Sequence, residues 1–258
     1  MQFTSKTVIV TGGAKGLGQS IAAKFLEEGA TVIILDRDSQ QNDTVRETSP
    51  YHYYQCDVSR YDQVEKVFAI IKNTFKTIDV LVNNAGIQTY GTVTETSEEL
   101  WDRTLSVNVK SMYLCSKFCI PLMAESNSAA VINLSSAQAF VTQKEVAAYA
   151  TSKAAILGLT HSIAVDYAPS IRCIAVCPGA VMTPMLKNTI DALPDTKEAV
   201  KQTENIHLLK RIAKPEEIAD FIIFAASNKG SFMSGQYYRI DGESVDDSKC
   251  RCRQRTVI

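Results

Sequence analysis

An excess of charge of either sign is missing from this chain. Its 27 lysines and arginines meet 28 aspartates and glutamates, so no net field draws it to nucleic acid or to an anionic membrane. Long apolar runs are missing too, and nothing approaches the ~20 consecutive residues of a membrane-spanning helix. The opening Met1-Gln2-Phe3-Thr4-Ser5-Lys6 runs straight into an apolar strand and lacks the h-region of an export signal, so a cytoplasmic protein is expected. Histidine is scarce, 3 residues in 258, and none stands where it could complete a zinc set with Cys115 and Cys119 or with Cys173 and Cys177. Those cysteines read as reduced, buried packing and no metal is expected. Linkers rich in Pro, Gly or Ser are absent, as are repeats at solenoid periods. One domain over residues 1–243 is expected, followed by a tail, 244–258, that is flexible or touches other subunits. The tail's Lys249-Cys250-Arg251-Cys252-Arg253-Gln254-Arg255 reads as a solvated end rather than a binding site.

What is present is alternation. Short apolar strands are expected at residues 7–10, 31–35, 51–55, 78–82, 130–134, 172–177 and 235–240. Between them lie helical patterns, with stripes Ile21, Ala22, Phe25, Leu26 and Val64, Val67, Phe68, Ile71. A long helix is expected over residues 100–118, with Trp101, Leu105, Val109, Met112 and Cys119 on its apolar side, and another carries Ile156, Leu159, Ile163 and Val165. The helix between strands two and three, residues 38–50, is expected to be short or irregular. Residues 183–209 are polar and mixed, and Pro215 with Glu216 and Glu217 starts the last helix. Strands alternating with helices make an α/β doubly wound parallel sheet of about seven strands, with helices on both faces.

The chemistry-bearing residues fall at the strand ends. Strand one stops at Thr11-Gly12-Gly13-Ala14-Lys15-Gly16-Leu17-Gly18 and a helix follows, so free backbone N–H groups and a positive dipole end face an anion such as a pyrophosphate. Asp36 ends the second strand, where a carboxylate accepts hydrogen bonds from an adenosine ribose and repels a 2′-phosphate. That favours NAD, while Lys15 and Arg37 pull toward NADP. Asp57, before Val58 at the end of strand three, can reach an adenine amino group. Tyr149 and Lys153 stand one helical turn apart, so an ammonium can lower a phenol's pKa and make it a working acid and base. Asn108 is a mediocre helix former in the middle of a helix.

Together these stretches resemble the short-chain dehydrogenase/reductase family over roughly residues 6–242. The matching motifs are Thr11-Gly12-x3-Gly16-x-Gly18, Asp57-Val58, Asn83-Asn84-Ala85-Gly86, Asn108, Ser136, Tyr149-x3-Lys153 and Pro178-Gly179 with Thr183. The resemblance implies a Rossmann-type domain and an NAD(P)-dependent oxidoreductase acting on CH–OH groups. It implies Tyr149 as general acid/base, Lys153 lowering its pKa and bonding the nicotinamide ribose, and Asn108 anchoring a water in a proton relay. It implies Ser136, thirteen residues before Tyr149, as the holder of the substrate oxygen in preference to Ser135. Gly12, Lys15, Gly16, Leu17 and Gly18 would cradle the cofactor, and Asn84, Ala85 and Gly86 would pass its adenosine ribose. Pro178, Gly179, Val181 and Thr183 would meet its carboxamide and phosphates. A homotetramer built from the two long helices and the C-terminal strand edge is also implied.

Asp166-Tyr167-Ala168-Pro169, Arg172-Cys173, Val176-Cys177-Pro178 and Lys210-Arg211-Ile212-Ala213-Lys214-Pro215 resemble a sub-group that oxidises aldoses. Gln88 and Gln138 should face the substrate, and two amides that both donate and accept suit a polyhydroxylated ligand. The alternative substrates are a hydroxy acid (3-hydroxybutyrate- or hydroxyproline-like), a steroid or a simple alcohol. A carboxylate would want a cation, for which Lys144 is the one nearby candidate. A non-catalytic nucleotide-binding regulator is the reading from another class, but Tyr149, Lys153 and Ser136 are all in place. Two departures from the family stand out: Glu243 follows Gly242 where a second glycine is usual, and the tail matches nothing.

Overall fold

The computed structural model describes residues 1–39, 50–126 and 128–244. The irregular helix expected after strand two falls mostly on residues 40–49, and the tail on 245–258, outside the described residues.

Seven strands form one parallel sheet: β1 (Thr7–Thr11), β2 (Thr31–Asp36), β3 (Tyr51–Gln55), β4 (Val80–Asn83), β5 (Ala129–Leu134), β6 (Ile171–Pro178) and β7 (Tyr237–Ile240). Their spatial order is β3-β2-β1-β4-β5-β6-β7, so the winding reverses between β1 and β4. Continuous apolar runs such as Val8-Ile9-Val10 suit strands covered on both faces, and all three residues are fully buried. One core packs α1 (Gly16–Glu27) and α8 (Pro215–Ala226) against one side, through Ile21, Phe25, Ile218 and Ile222. The other packs α2 (Tyr61–Thr74), α4 (Ser111–Cys119) and α5 (Ala147–Tyr167) against the opposite side, through Val64, Phe68, Leu114 and Ile163. Cys115, Cys119 and Cys173 sit in that second core, and burial pushes their thiols up.

Three expectations are corrected. The helix over residues 100–118 is not continuous: α3 (Glu98–Leu105) and α4 are joined by a π-helical turn, Ser106–Lys110. Of its expected apolar side Met112 and Cys119 are buried, but Trp101, Leu105 and Val109 are only half-buried, and Thr104, Asn108 and Ser111 are buried in their place. The extra residue of the π turn rotates the polar line inward, toward the cleft described below. On α5, Val165 is 78% exposed, while Ile156 and Ile163 are buried as expected, together with Thr160 and Ala164. The polar stretch 183–209 holds two short helices, α6 (Pro184–Asp191) and α7 (Thr196–Asn205). Thr183 accepts from Leu186 N–H at 3.4 Å with Pro184 in the first turn, and Asp195 accepts from Glu198 N–H at 2.9 Å. Among the described residues no helix is long and apolar enough to cross a membrane.

Candidate active site

The carboxyl ends of the strands open into one cleft of about 1780 Å³ at the point where the sheet's winding reverses. Every site residue expected from the sequence lines it except Asn108, which is wholly buried behind it.

At one end the glycine turn is locked to the rest of the sheet. Gly12 has φ +63°, and a Cβ on it would stand 2.9 Å from the Ala85 Cα. A Cβ on Gly18 would lie 2.1 Å from the Gly12 carbonyl oxygen, so the first turn of α1 sits directly on the loop. Asn84 Nδ2 donates to the Thr11 and Gly12 carbonyls at 2.9 and 3.0 Å, and the Asn84 and Ala85 N–H groups donate to Thr11 Oγ1, both at 3.0 Å. Bare backbone at a helix N-terminus, walled by immobile polar groups, fits a pyrophosphate.

Asp36 is buried at the end of β2, where its oxygens accept from Ala14 N–H at 3.0 Å and Asp38 N–H at 3.1 Å. Lys15 and Arg37 both turn to Asp38, which lies 2.8 and 3.6 Å from them. The Lys15 ammonium holds the Asp38 carboxyl below its ordinary range. Asp57 Oδ1 accepts from Ser59 N–H and Oγ at 3.0 and 2.6 Å, fixing the turn before α2.

At the other end β5 stops at two serines with separate tasks. Ser135 Oγ donates to the Lys153 carbonyl at 2.7 Å, which holds α5 against the strand. Ser136 lines the cleft, its Oγ accepting from Gln138 N–H at 3.1 Å, and it stands close enough to the Tyr149 hydroxyl to lower its pKa. Lys153 Nζ donates to the Leu134 carbonyl at 3.0 Å and lies 5.6 Å from the Tyr149 ring centroid. Burial lowers the Lys153 ammonium to about 8, with the Cys177 thiol opposing. Burial also pushes the Tyr149 phenol up to about 12, partly offset by Ser136. The expected depression of the phenol by Lys153 is therefore not a property of the protein groups alone. Loss of water around the ring outweighs it.

Asn108 is held in mid-helix by bonds to other elements. Its Oδ1 accepts from Ile87 N–H at 2.8 Å, and its Nδ2 donates to the Ile87 carbonyl at 2.9 Å and to Ser152 Oγ at 2.9 Å. Three of the amide's four hydrogen-bonding positions are thus taken by protein, and one acceptor position on Oδ1 is left. The side chain clamps the Asn84-Ala85-Gly86-Ile87 segment to α5; a Cβ on Gly86 would meet Asn108 Oδ1 at 3.3 Å and Lys153 Nζ at 3.6 Å.

The third wall is the segment between β6 and α8. Its neck is closed where Met182 N–H donates to the Ala213 carbonyl at 2.9 Å and Ala213 N–H donates to the Ala180 carbonyl at 3.0 Å. Thr183 and Pro184 then cross the glycine turn, within contact range of a Cβ on Gly16. Gln88 and Gln138 line the cleft as expected, joined by Gln143, Asn188, Gln202 and Asn205. Lys144 does not stand alone, because Arg103 lines the same cleft. Sequence reasoning missed Asp38, legible in principle two residues past Asp36. It also missed Tyr90, near enough for its charge to raise the Tyr149 phenol, and His207, which carries no local signal.

Comparison with known proteins places these features in a setting. A family model described as enoyl-(acyl carrier protein) reductase matches residues 12–242. An oxidoreductase of Thermotoga maritima is 38% identical over 249 residues, 95% of this chain and 99% of that one. Dehydrogenase/reductase SDR family member 6 of Aquarana catesbeiana is 36% identical over 243 residues, 93% of this chain and 98% of the relative. Among solved structures, the aldohexose dehydrogenase of Thermoplasma acidophilum superposes with a TM-score of 0.86 at 39% identity, covering 92% of both chains.

Proposed function

The chain belongs to the short-chain dehydrogenase/reductase family and is an oxidoreductase of that family, and from that premise we propose that it is an NAD-dependent dehydrogenase of a secondary alcohol or sugar hydroxyl, with an aldose or polyol the favoured substrate. The observation that carries this reading is the convergence of Ser136, Tyr149 and Lys153 on one cleft wall, facing a glycine turn that fits a dinucleotide.

The nicotinamide, when bound, supplies the hydride acceptor and a positive charge close to the phenol. Ser136 Oγ holds the substrate oxygen and stabilises charge as the carbonyl forms. Tyr149 takes the hydroxyl proton. With its ammonium near 8, Lys153 is mostly charged at neutral pH, and together with the ring's charge it opposes the burial that keeps Tyr149 protonated. Asn108 orders the Gly86–Ile87 backbone and α5 around that pair, and its free Oδ1 acceptor position is where a relay water would be anchored.

Asp36 supports NAD over NADP, and Asp38 strengthens the case. Asp38 occupies both cations, Lys15 and Arg37, that would otherwise welcome a 2′-phosphate. An aldose is supported by the likeness to the Thermoplasma acidophilum enzyme and by the many amides of the cleft. A hydroxy acid is the second reading, favoured by one observation: Arg103 and Lys144 line the cleft, and no described carboxylate ion-pairs with either. The proposed assembly is a homotetramer, supported by the open edge of β7 and by apolar side chains left exposed on α5 and α8, Val165 and Phe224.

The test is NADH production on a panel of aldoses against hydroxy acids, repeated with Tyr149→Phe. Turnover is expected to fall by about 10³-fold or more in the variant, with NAD binding retained. Undiminished turnover in the variant overturns the acid/base assignment, and activity confined to hydroxy acids replaces the substrate.

A further inference from the structure

His207, just past the end of α7, is buried at 2% exposure and lines the cleft, yet it takes no part in the chemistry above. Its two ring nitrogens join parts of the chain that are remote in sequence. Nδ1 lies 2.6 Å from the Asp241 carbonyl and 3.1 Å from Ser244 Oγ, at the end of the strand β7 segment. Nε2 accepts from Ala180 N–H at 3.3 Å, in the loop after Pro178. A carbonyl can only accept and a backbone N–H can only donate, so these two partners select one neutral tautomer, with the proton on Nδ1. The ring is also wedged against backbone: a Cβ on Gly179 would stand 2.6 Å from His207 Cε1 and 2.9 Å from the Asp241 Cα. Beside it, Leu208 and Leu209 N–H groups donate to the Glu243 and Gly242 carbonyls at 3.1 and 3.3 Å. The end of the α6–α7 segment is therefore docked on the chain end, and the imidazole carries that docking through to residues 179–181.

We propose that His207 is a positioning residue for the cofactor, holding the Gly179-Ala180-Val181 backbone in place by accepting from Ala180 N–H. This rests on the reading above, in which that loop meets the nicotinamide carboxamide. The ring links the two ligands of the enzyme: the segment that walls the substrate end of the cleft and the loop that orients the redox ring share one side chain.

Two near-isosteric variants separate the two halves of the latch. His207→Gln places an acceptor oxygen where Nε2 stands and keeps the bond from Ala180. His207→Asn places an amide nitrogen where Nδ1 stands, keeps the bond to Asp241 and leaves Ala180 N–H without its partner. Hydrogen exchange of the peptide spanning residues 179–183 is measured on the full chain, together with the Kd of NAD and kcat at saturating NAD. In His207→Asn, exchange is expected to quicken and the NAD Kd to rise, each by about tenfold, the effect of one lost hydrogen bond to a partly buried donor. Saturated kcat should change much less, and His207→Gln should stay near wild type in all three. Identical behaviour of the two variants, or unchanged exchange in His207→Asn, overturns the proposal. Exchange is read without cofactor, so a wild-type chain that failed to bind NAD would defeat the cofactor reading while the latch itself was still decided.

Discussion

The glycine turn after β1 and the segment between Met182 and Ile212 face each other across the same cleft, but they are held in opposite ways. The turn is stitched to β4 by the Thr11 hydroxyl and the Asn84 amide, and two of its glycines cannot carry a side chain without striking backbone. The segment is closed at its neck, docked through His207, and otherwise presents exposed Met185, Leu193, Leu208 and Leu209. A ligand portion that never varies can be met by rigid backbone. The opposite wall meets the cleft with side chains instead, among them Asn188, Gln202 and Asn205.

That division can be broken by experiment. The largest effect is expected from Gly18→Ala, whose methyl would overlap the Gly12 carbonyl 2.1 Å away. It should cost about 3 kcal/mol in denaturant unfolding and lose most NAD affinity. The same change at Gly158, where nothing lies within 4 Å, should instead stabilise α5 by about 0.5–1 kcal/mol.

Next comes Lys153→Met. The folded state lowers this ammonium from 10.5 to about 8, so below pH 8 folding buries a charge that the unfolded chain leaves in water. Between pH 8 and 10.5 the unfolded chain binds more protons, and wild-type stability rises with pH. The variant should therefore be inactive yet roughly 1–3 kcal/mol more stable at pH 7, with the gain fading above pH 8 in unfolding curves. A variant less stable at pH 7 would mean that the Leu134 bond outweighs the burial.

Asp38→Asn releases Lys15 and Arg37, so the ratio of kcat/KM with NADP to that with NAD should rise by about tenfold, with kcat little changed. An unmoved ratio would leave Asp36 as the sole discriminator. The smallest effect is expected from Gln202→Ala on the loosely held wall. Its side chain makes an exposed bond to Glu198, so stability should move by less than about 0.5 kcal/mol. Substrate KM should change several-fold and NAD affinity not at all. If this substitution weakened NAD as Gly18→Ala does, the contrast between the two walls would fail.

The same contrast governs what could be read without coordinates. Val8-Ile9-Val10, the glycine turn, Asp36 and the Tyr149–Lys153 spacing are local patterns whose physical requirements lie within a few residues, and the fold places each of them where expected. Asn108 was visible as an oddity, but its reason lies in Ile87 and Ser152, on other elements. The π turn that carries it follows from those tertiary bonds, not from propensity. In residues 183–209 the helices that Thr183 and Asp195 cap are short and polar, which hides their period. His207 had no signal at all, because its partners come from the ends of β6 and β7. The Tyr149 pKa escaped for a related reason: spacing reports the neighbouring ammonium but not the water excluded around the ring.

The neck formed by Met182, Ala213 and Ala180 makes the segment above it a cassette. Its two ends leave the body side by side, so residues 183–212 can be exchanged for the corresponding stretch of a relative without touching β6, provided the Arg211–Glu217 ion pair at the start of α8 is kept. A chimera of that kind should inherit the donor's appetite for substrate while keeping the recipient's redox chemistry. His207 too is to be transplanted with care, since it must still find Ala180 on one side and Asp241 on the other. A change of substrate by that route would leave the catalytic end untouched and replace only the lining.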